Sequence, residues 1–179
     1  MSSLTFSDIA FLAGSQANSE GIPLNSYLII ATRVSSEAGF DYLRIFIREP
    51  ESTYSRWFED SGNGNWQDFS TILNVTGTYS VRIVYEKDSS VDGNNDTAWI
   101  DDVVVVNANT RAGATQTYYS ETFESGVVPD GWVQNGDWGW GIDTSSVNSG
   151  TYSLKSLLPQ NTDSNHGQSA IIEFDLEVG

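Results

Sequence analysis

The stretch TYSVRIVYEKDSSVDGNNDTAWIDDVVVV, residues 78–106, decides the fold. Its first part alternates cleanly. Val81, Ile83 and Tyr85 fall on one face of an extended chain, and Arg82, Val84 and Glu86 on the other. A period of two marks a β-strand. The last part, TAWIDDVVVV, reads as a second strand but sets two adjacent carboxylates, Asp101 and Asp102, in an apolar run. In a regular strand one of them points the same way as Trp99 and Val103. A carboxylate on a buried face is costly unless it is paired or metal-bound, and no basic residue adjoins either acid in sequence. Between the strands, DSSVDGNND (88–96) supplies Asp88, Asp92, Asn94, Asn95 and Asp96. Its spacing loosely resembles an oxygen-rich calcium loop, a second metal candidate at Asp88, Asp92, Asn94 and Asp96. It lacks the closing glutamate and the flanking helices of an EF-hand, so a solvated hairpin turn is the better expectation.

Outward from this stretch, strand signals continue. SYLIIATRVSS (26–36), FDYLRIFIRE (40–49) and SAIIEFDLEV (169–178) are rich in Ile, Leu, Tyr and Phe with partial alternation. Turn clusters separate them: DSGNGN (60–65), NVTGT (74–78) and NSGT (148–151). Short strands with such punctuation predict an all-β chain, a sandwich or jelly roll. The most helix-like piece, EPESTYSRWFED (49–60), is a poor helix because of Pro50. Composition turns small and polar over NANTRAGATQTYYS (107–120), which reads as a linker. The expected organisation is an N-terminal extension (1–26), a first half (27–107), a linker (108–120) and a second half (121–179). The second half alone is too short to make a stable core.

The chain has 179 residues, 39% hydrophobic and 12% aromatic, so a real core is available. Eight Lys and Arg oppose 24 Asp and Glu, a formal charge of −16. That argues against nucleic acid and anionic membranes as partners. It fits a halotolerant, secreted or cation-binding protein, or simply a soluble acidic surface. There is no cysteine, so disulfides, thiol chemistry and Cys-type zinc sites are absent. No apolar run approaches the length of a membrane helix. The start, MSSLTFSDIAFLAGSQ, has no basic n-region and carries Asp8, so it is not expected to act as a signal peptide. The expected location is extracellular, at a cell surface or on a virion, reached after removal of a leader or by another route.

From residue 121 the chain reads ETFESGVVPDGWVQNGDWGWGIDTSSVNSGTYSLKS. This resembles the opening of a MAM-like jelly-roll family of bacterial surface proteins, the choice-of-anchor J domain. RVSSEAGFDYLRIFI (33–47) resembles that family's middle. NWQDFSTILNVTGTYSVRIVYEKDSSVDGNNDTAWIDDVVV (65–105) resembles its end. The order is inverted: the family's beginning lies at the C-terminal side. The chain is then a circular permutant, a piece joining halves of two tandem repeats, or a self-assembling unit in which copies exchange halves or strands. Fourteen residues (107–120) reach about 45 Å at roughly 3.3 Å each, so closure within one chain is permitted but not required. The apolar FSDIAFLAG near the N-terminus could serve as an assembly strand.

The resemblance implies a calcium ion (Ca2+) at the sandwich edge. Its ligands would be Glu124 of FES and Asp101 or Asp102 of WIDD, with Asp137 of GDW as a further candidate and main-chain carbonyls completing the shell. The competing expectation leaves these acids solvent-exposed or bonded to loop amides. The resemblance also implies a non-catalytic structural and adhesion module, and the inverted order adds the expectation that it self-associates through strand or half-domain exchange into a multimer or filament, its partners being copies of itself or neighbouring repeats. The rival is a carbohydrate-binding module for a surface glycan. Trp99, Trp132 and Trp138 occupy motif positions and are expected to pack; Trp57, Trp66 and Trp140 are freer to stack on a sugar. Catalysis is poorly supported: the only histidine is His166, and no serine sits in a nucleophile-elbow pattern.

Overall fold

The computed structural model describes residues 22–89, 93–109, 114–158 and 167–179. Eleven strands follow one another: β1 Ser26–Ser35, β2 Tyr42–Arg48, β3 Ser55–Asp60, β4 Gln67–Leu73, β5 Gly77–Lys87, β6 Thr97–Asn109, β7 Ala114–Glu121, β8 Val133–Gly136, β9 Trp140–Asp143, β10 Ser153–Ser156 and β11 Gln168–Val178. No helix occurs among the described residues. Two antiparallel sheets pack together as a β-sandwich. One runs β3-β2-β5-β11-β8, the other β4-β1-β6-β10-β9 with β7 also on β6.

The core follows from alternation. Leu43, Ile45 and Ile47 of β2, Val81, Ile83 and Tyr85 of β5, and Ile172, Phe174 and Leu176 of β11 all point inward. They meet Leu28, Ile30 and Val34 of β1 and Ile100, Val103 and Val105 of β6. Each such side chain contributes roughly 1.5–3 kcal/mol when fully buried. At the second half's entry, Trp132 stacks on Phe174 with centroids 4.2 Å apart and meets Phe123 edge-on at 5.7 Å. The Trp132 indole N–H donates to the Tyr119 hydroxyl at 3.1 Å.

The two halves interleave within one chain. β11 pairs with β5 along Gln168–Val178, and β10 pairs with β6 at Leu154↔Ile100 and Lys155↔Trp99. The ends of the described chain also meet: Ile22 bridges Val178, and the Gly179 N–H donates to the Ile22 carbonyl at 2.9 Å.

Two local expectations are corrected. The region read as a linker is mostly strand: β6 extends to Asn109, and β7 returns along it from Ala114. The piece around Pro50, read as a poor helix, is a turn followed by β3. Residues 88–96 are not a hairpin turn, because β5 and β6 belong to different sheets. Most of the N-terminal extension, including the suggested assembly strand, lies outside the described residues.

Candidate functional site: a carboxylate pair on a bulged strand

Opposite β6, Ile29 of β1 faces Val104 but Ala31 faces Asp101. Ile30 therefore opposes two residues, Asp102 and Val103, which is a β-bulge. Asp102 has φ 46°, the left-handed region, where aspartate is among the better tolerated residues. The bulge resets the alternation. Ala98 and Ile100 face the core before it, Val103 and Val105 after it. Trp99 and Val103, expected on one face, lie on opposite faces.

The same bulge sends both acids to one loop. Asp101 Oδ2 accepts from the amides of Asn148 (2.9 Å) and Ser149 (3.2 Å), and its Oδ1 from the Asp102 amide (2.8 Å). Asp102 accepts from the Asn148 carboxamide and the Ser149 hydroxyl, each at 2.9 Å. Both carboxylates are fully buried. Among the described residues no ion pair reaches either. Burial foremost, then the charge of Asp102, pushes the Asp101 carboxyl up to about 7 against three backbone amides that favour its ionised form.

Glu124 grips the next residues of that loop. Its Oε1 accepts from the Thr151 (2.8 Å) and Tyr152 (2.9 Å) amides, which hold its carboxyl below the usual range. Gly150, just before them, has φ 65°, and a Cβ there would collide with the Glu124 carboxylate. Asp137 stands apart, accepting from the Ser169 amide at 3.0 Å on β11. The structure thus brings Asp101 and Asp102 together, sets Glu124 on the same loop and leaves Asp137 elsewhere. Among the described residues no three acidic or histidine side chains converge as a ready metal cage. The two buried carboxylates and the Ser149 hydroxyl nonetheless gather oxygen atoms of the kind a hard cation takes, while the Asn148 carboxamide turns its nitrogen to Asp102.

The acids of 88–96 do something different. Asp96 turns to Lys87, whose Nζ lies 3.3 Å from Asp96 Oδ2 and 3.8 Å from Asp41 Oδ2. The three side chains are 3%, 0% and 0% exposed. Asn94 donates to the Ser36 carbonyl at 2.7 Å, and the Asp88 amide to Asp41 Oδ1 at 2.9 Å. A Cβ on Gly93 would lie 2.5 Å from the Glu37 backbone, so the loop packs as only glycine allows. Asp96 of the proposed metal set is thus answered by a lysine, and Asn94 is turned to the Ser36 carbonyl; Asp92 lies outside the described residues. Lys87 escaped the sequence reading, yet its signal was there: it continues the inward series Val81, Ile83, Tyr85.

The tryptophans divide differently from expectation. Trp140 is 2% exposed, a core residue with no face for a sugar. Trp66 is half-buried before β4. Trp57 is 42% exposed on edge strand β3, and Trp138, expected to pack, is 41% exposed beside β11. Trp57 lies toward the β3 edge of its sheet and Trp138 toward the β8 edge. Trp99 is buried, with the Arg33 guanidinium 5.2 Å from its ring centroid. His166 lies outside the described residues. Compared with known protein families, curated proteins and solved structures, the chain matches none.

Proposed function

We propose that this chain is a non-catalytic structural and adhesion module of an extracellular surface, clasped by calcium at Asp101 and Asp102. One observation carries the reading. Two adjacent, fully buried carboxylates meet only amide and hydroxyl donors, with no cation among the described residues. Like charges held together out of water are unfavourable. A divalent ion removes that cost, and calcium takes the oxygen ligands this loop offers. Asp101 and Asp102 belong to the first half of the chain, Asn148, Ser149 and Glu124 to the second, so the ion fastens one half to the other. The MAM-like resemblance supports the same placement.

The pairings within one chain support closure inside a single molecule. The contact of Gly179 with Ile22 supports the permuted order. Joining those ends and opening the chain between β6 and β7 would restore the family's order. Calorimetric titration of metal-stripped protein with calcium tests the reading. Heat of binding at one site, lost in Asp102→Asn, is the expected result; no heat in the wild-type protein overturns it.

A further inference from the structure

The buried Asp41–Lys87–Asp96 cluster has no part in the calcium reading, and its geometry suits a covalent reaction. Lys87 ends β5 in one sheet, Asp96 precedes β6 in the other, and Asp41 precedes β2. Each carboxylate is pinned through Oδ1 by a backbone amide, from Asp88 to Asp41 and from Gly93 to Asp96, both at 2.9 Å. Each turns its other oxygen to the same Nζ, at 3.8 and 3.3 Å. The amine therefore rests 3.3 Å from an oxygen bonded to the carbon it would attack, in a carboxyl group that is itself held in place, with a second carboxylate alongside. Held reactants of this kind gain effective molarities of roughly 10⁵–10⁸ M when reacting atoms sit about 3–3.5 Å apart.

We propose that Lys87 and Asp96 form an intramolecular amide, with Asp41 as the proton carrier. Asp41 takes a proton from the Lys87 ammonium, and the freed amine attacks Cγ of Asp96. A C–N bond forms, one C–O bond of Asp96 breaks, and Asp41 passes the two protons lost by nitrogen to the departing oxygen, which leaves as water. Nothing is oxidised or reduced. The cluster carries one net negative charge before the reaction, and Asp41 carries it afterwards. Burial favours the product twice. It replaces a desolvated ion pair by a neutral amide, and it keeps out the water that would hydrolyse the bond. In a chain without cysteine, the bond would staple β5 of one sheet to β6 of the other.

Intact mass of the purified full chain under denaturing conditions tests this. The expected mass is that of the sequence less one water, with digestion giving a branched peptide joining Lys87 to Asp96. Wild-type protein at full mass overturns the proposal. So does a water loss located elsewhere, for example at Asp92-Gly93. Asp41→Asn keeps the acceptor for the Asp88 amide and should fold, as circular dichroism would show, yet keep its full mass. An Asp41→Asn chain that still forms the branch overturns the role given to Asp41.

Discussion

Asp101 gives the protein a pH dependence whose sign follows from its surroundings. Its folded-state carboxyl is raised to about 7, above the ordinary carboxylate range. The folded state therefore holds a proton that the unfolded chain releases at about pH 4. Stability from this group is fully present below that pH and is lost as pH rises toward and through about 7. One pKa unit is about 1.4 kcal/mol, so the loss is on the order of a few kcal/mol. Urea unfolding in EDTA should show midpoints falling across this window, and Asp101→Asn should flatten the trend. A wild-type midpoint that rises over the same window would contradict the burial argument. The sequence exposed the problem of two acids in an apolar strand, because composition and spacing suffice for that. It could not show the answer. A bulge is set by register against β1, which strand alternation within β6 does not encode.

Strands whose neighbours lie on both sides were readable, and edge segments were not. β2, β5 and β11 alternate because one face meets the core and the other meets water. Among the described residues β7 (ATQTYYSE) pairs only with β6, and its residues 115–121 stay half-buried or exposed, so they carry little of a core signature. β3 is an edge strand with exposed Arg56, Trp57 and Glu59 around one half-buried Phe58. Loop 88–96 has turn chemistry, which says where a strand ends but not which sheet the next one joins. Glycines make sharper predictions at this scale. Gly136 has φ 92°, and a Cβ there would lie 2.8 Å from the Ser169 carbonyl of β11. Gly136→Ala should lower unfolding stability by about 1–3 kcal/mol, measured by denaturant titration. Removing the indole that stacks on Phe174, in Trp132→Ala, should cost about 3–5 kcal/mol. Losses below about 1 kcal/mol at both positions would mean that β8 and the aromatic stack hold little of the sandwich.

At the scale of the molecule, neither sheet is complete without both halves. β11 sits between β5 and β8, and β10 between β6 and β9. If the halves close within one chain as proposed, light scattering after size exclusion should return the 19.6 kDa monomer with calcium and with EDTA. A larger species would point to exchange of halves between copies. Because Ile22 and Gly179 touch and β7 returns beside β6, a chain rebuilt to run 114–179 and then 22–109 should fold cooperatively. The central claim is that one ion clasps the two halves. Thermal unfolding of wild type and the Asp101→Asn/Asp102→Asn double variant, each in calcium and then in excess EDTA, tests it most directly. The wild-type midpoint should rise in calcium and fall on chelation, while the double variant stays put. Wild-type protein that melts identically in both would contradict the account.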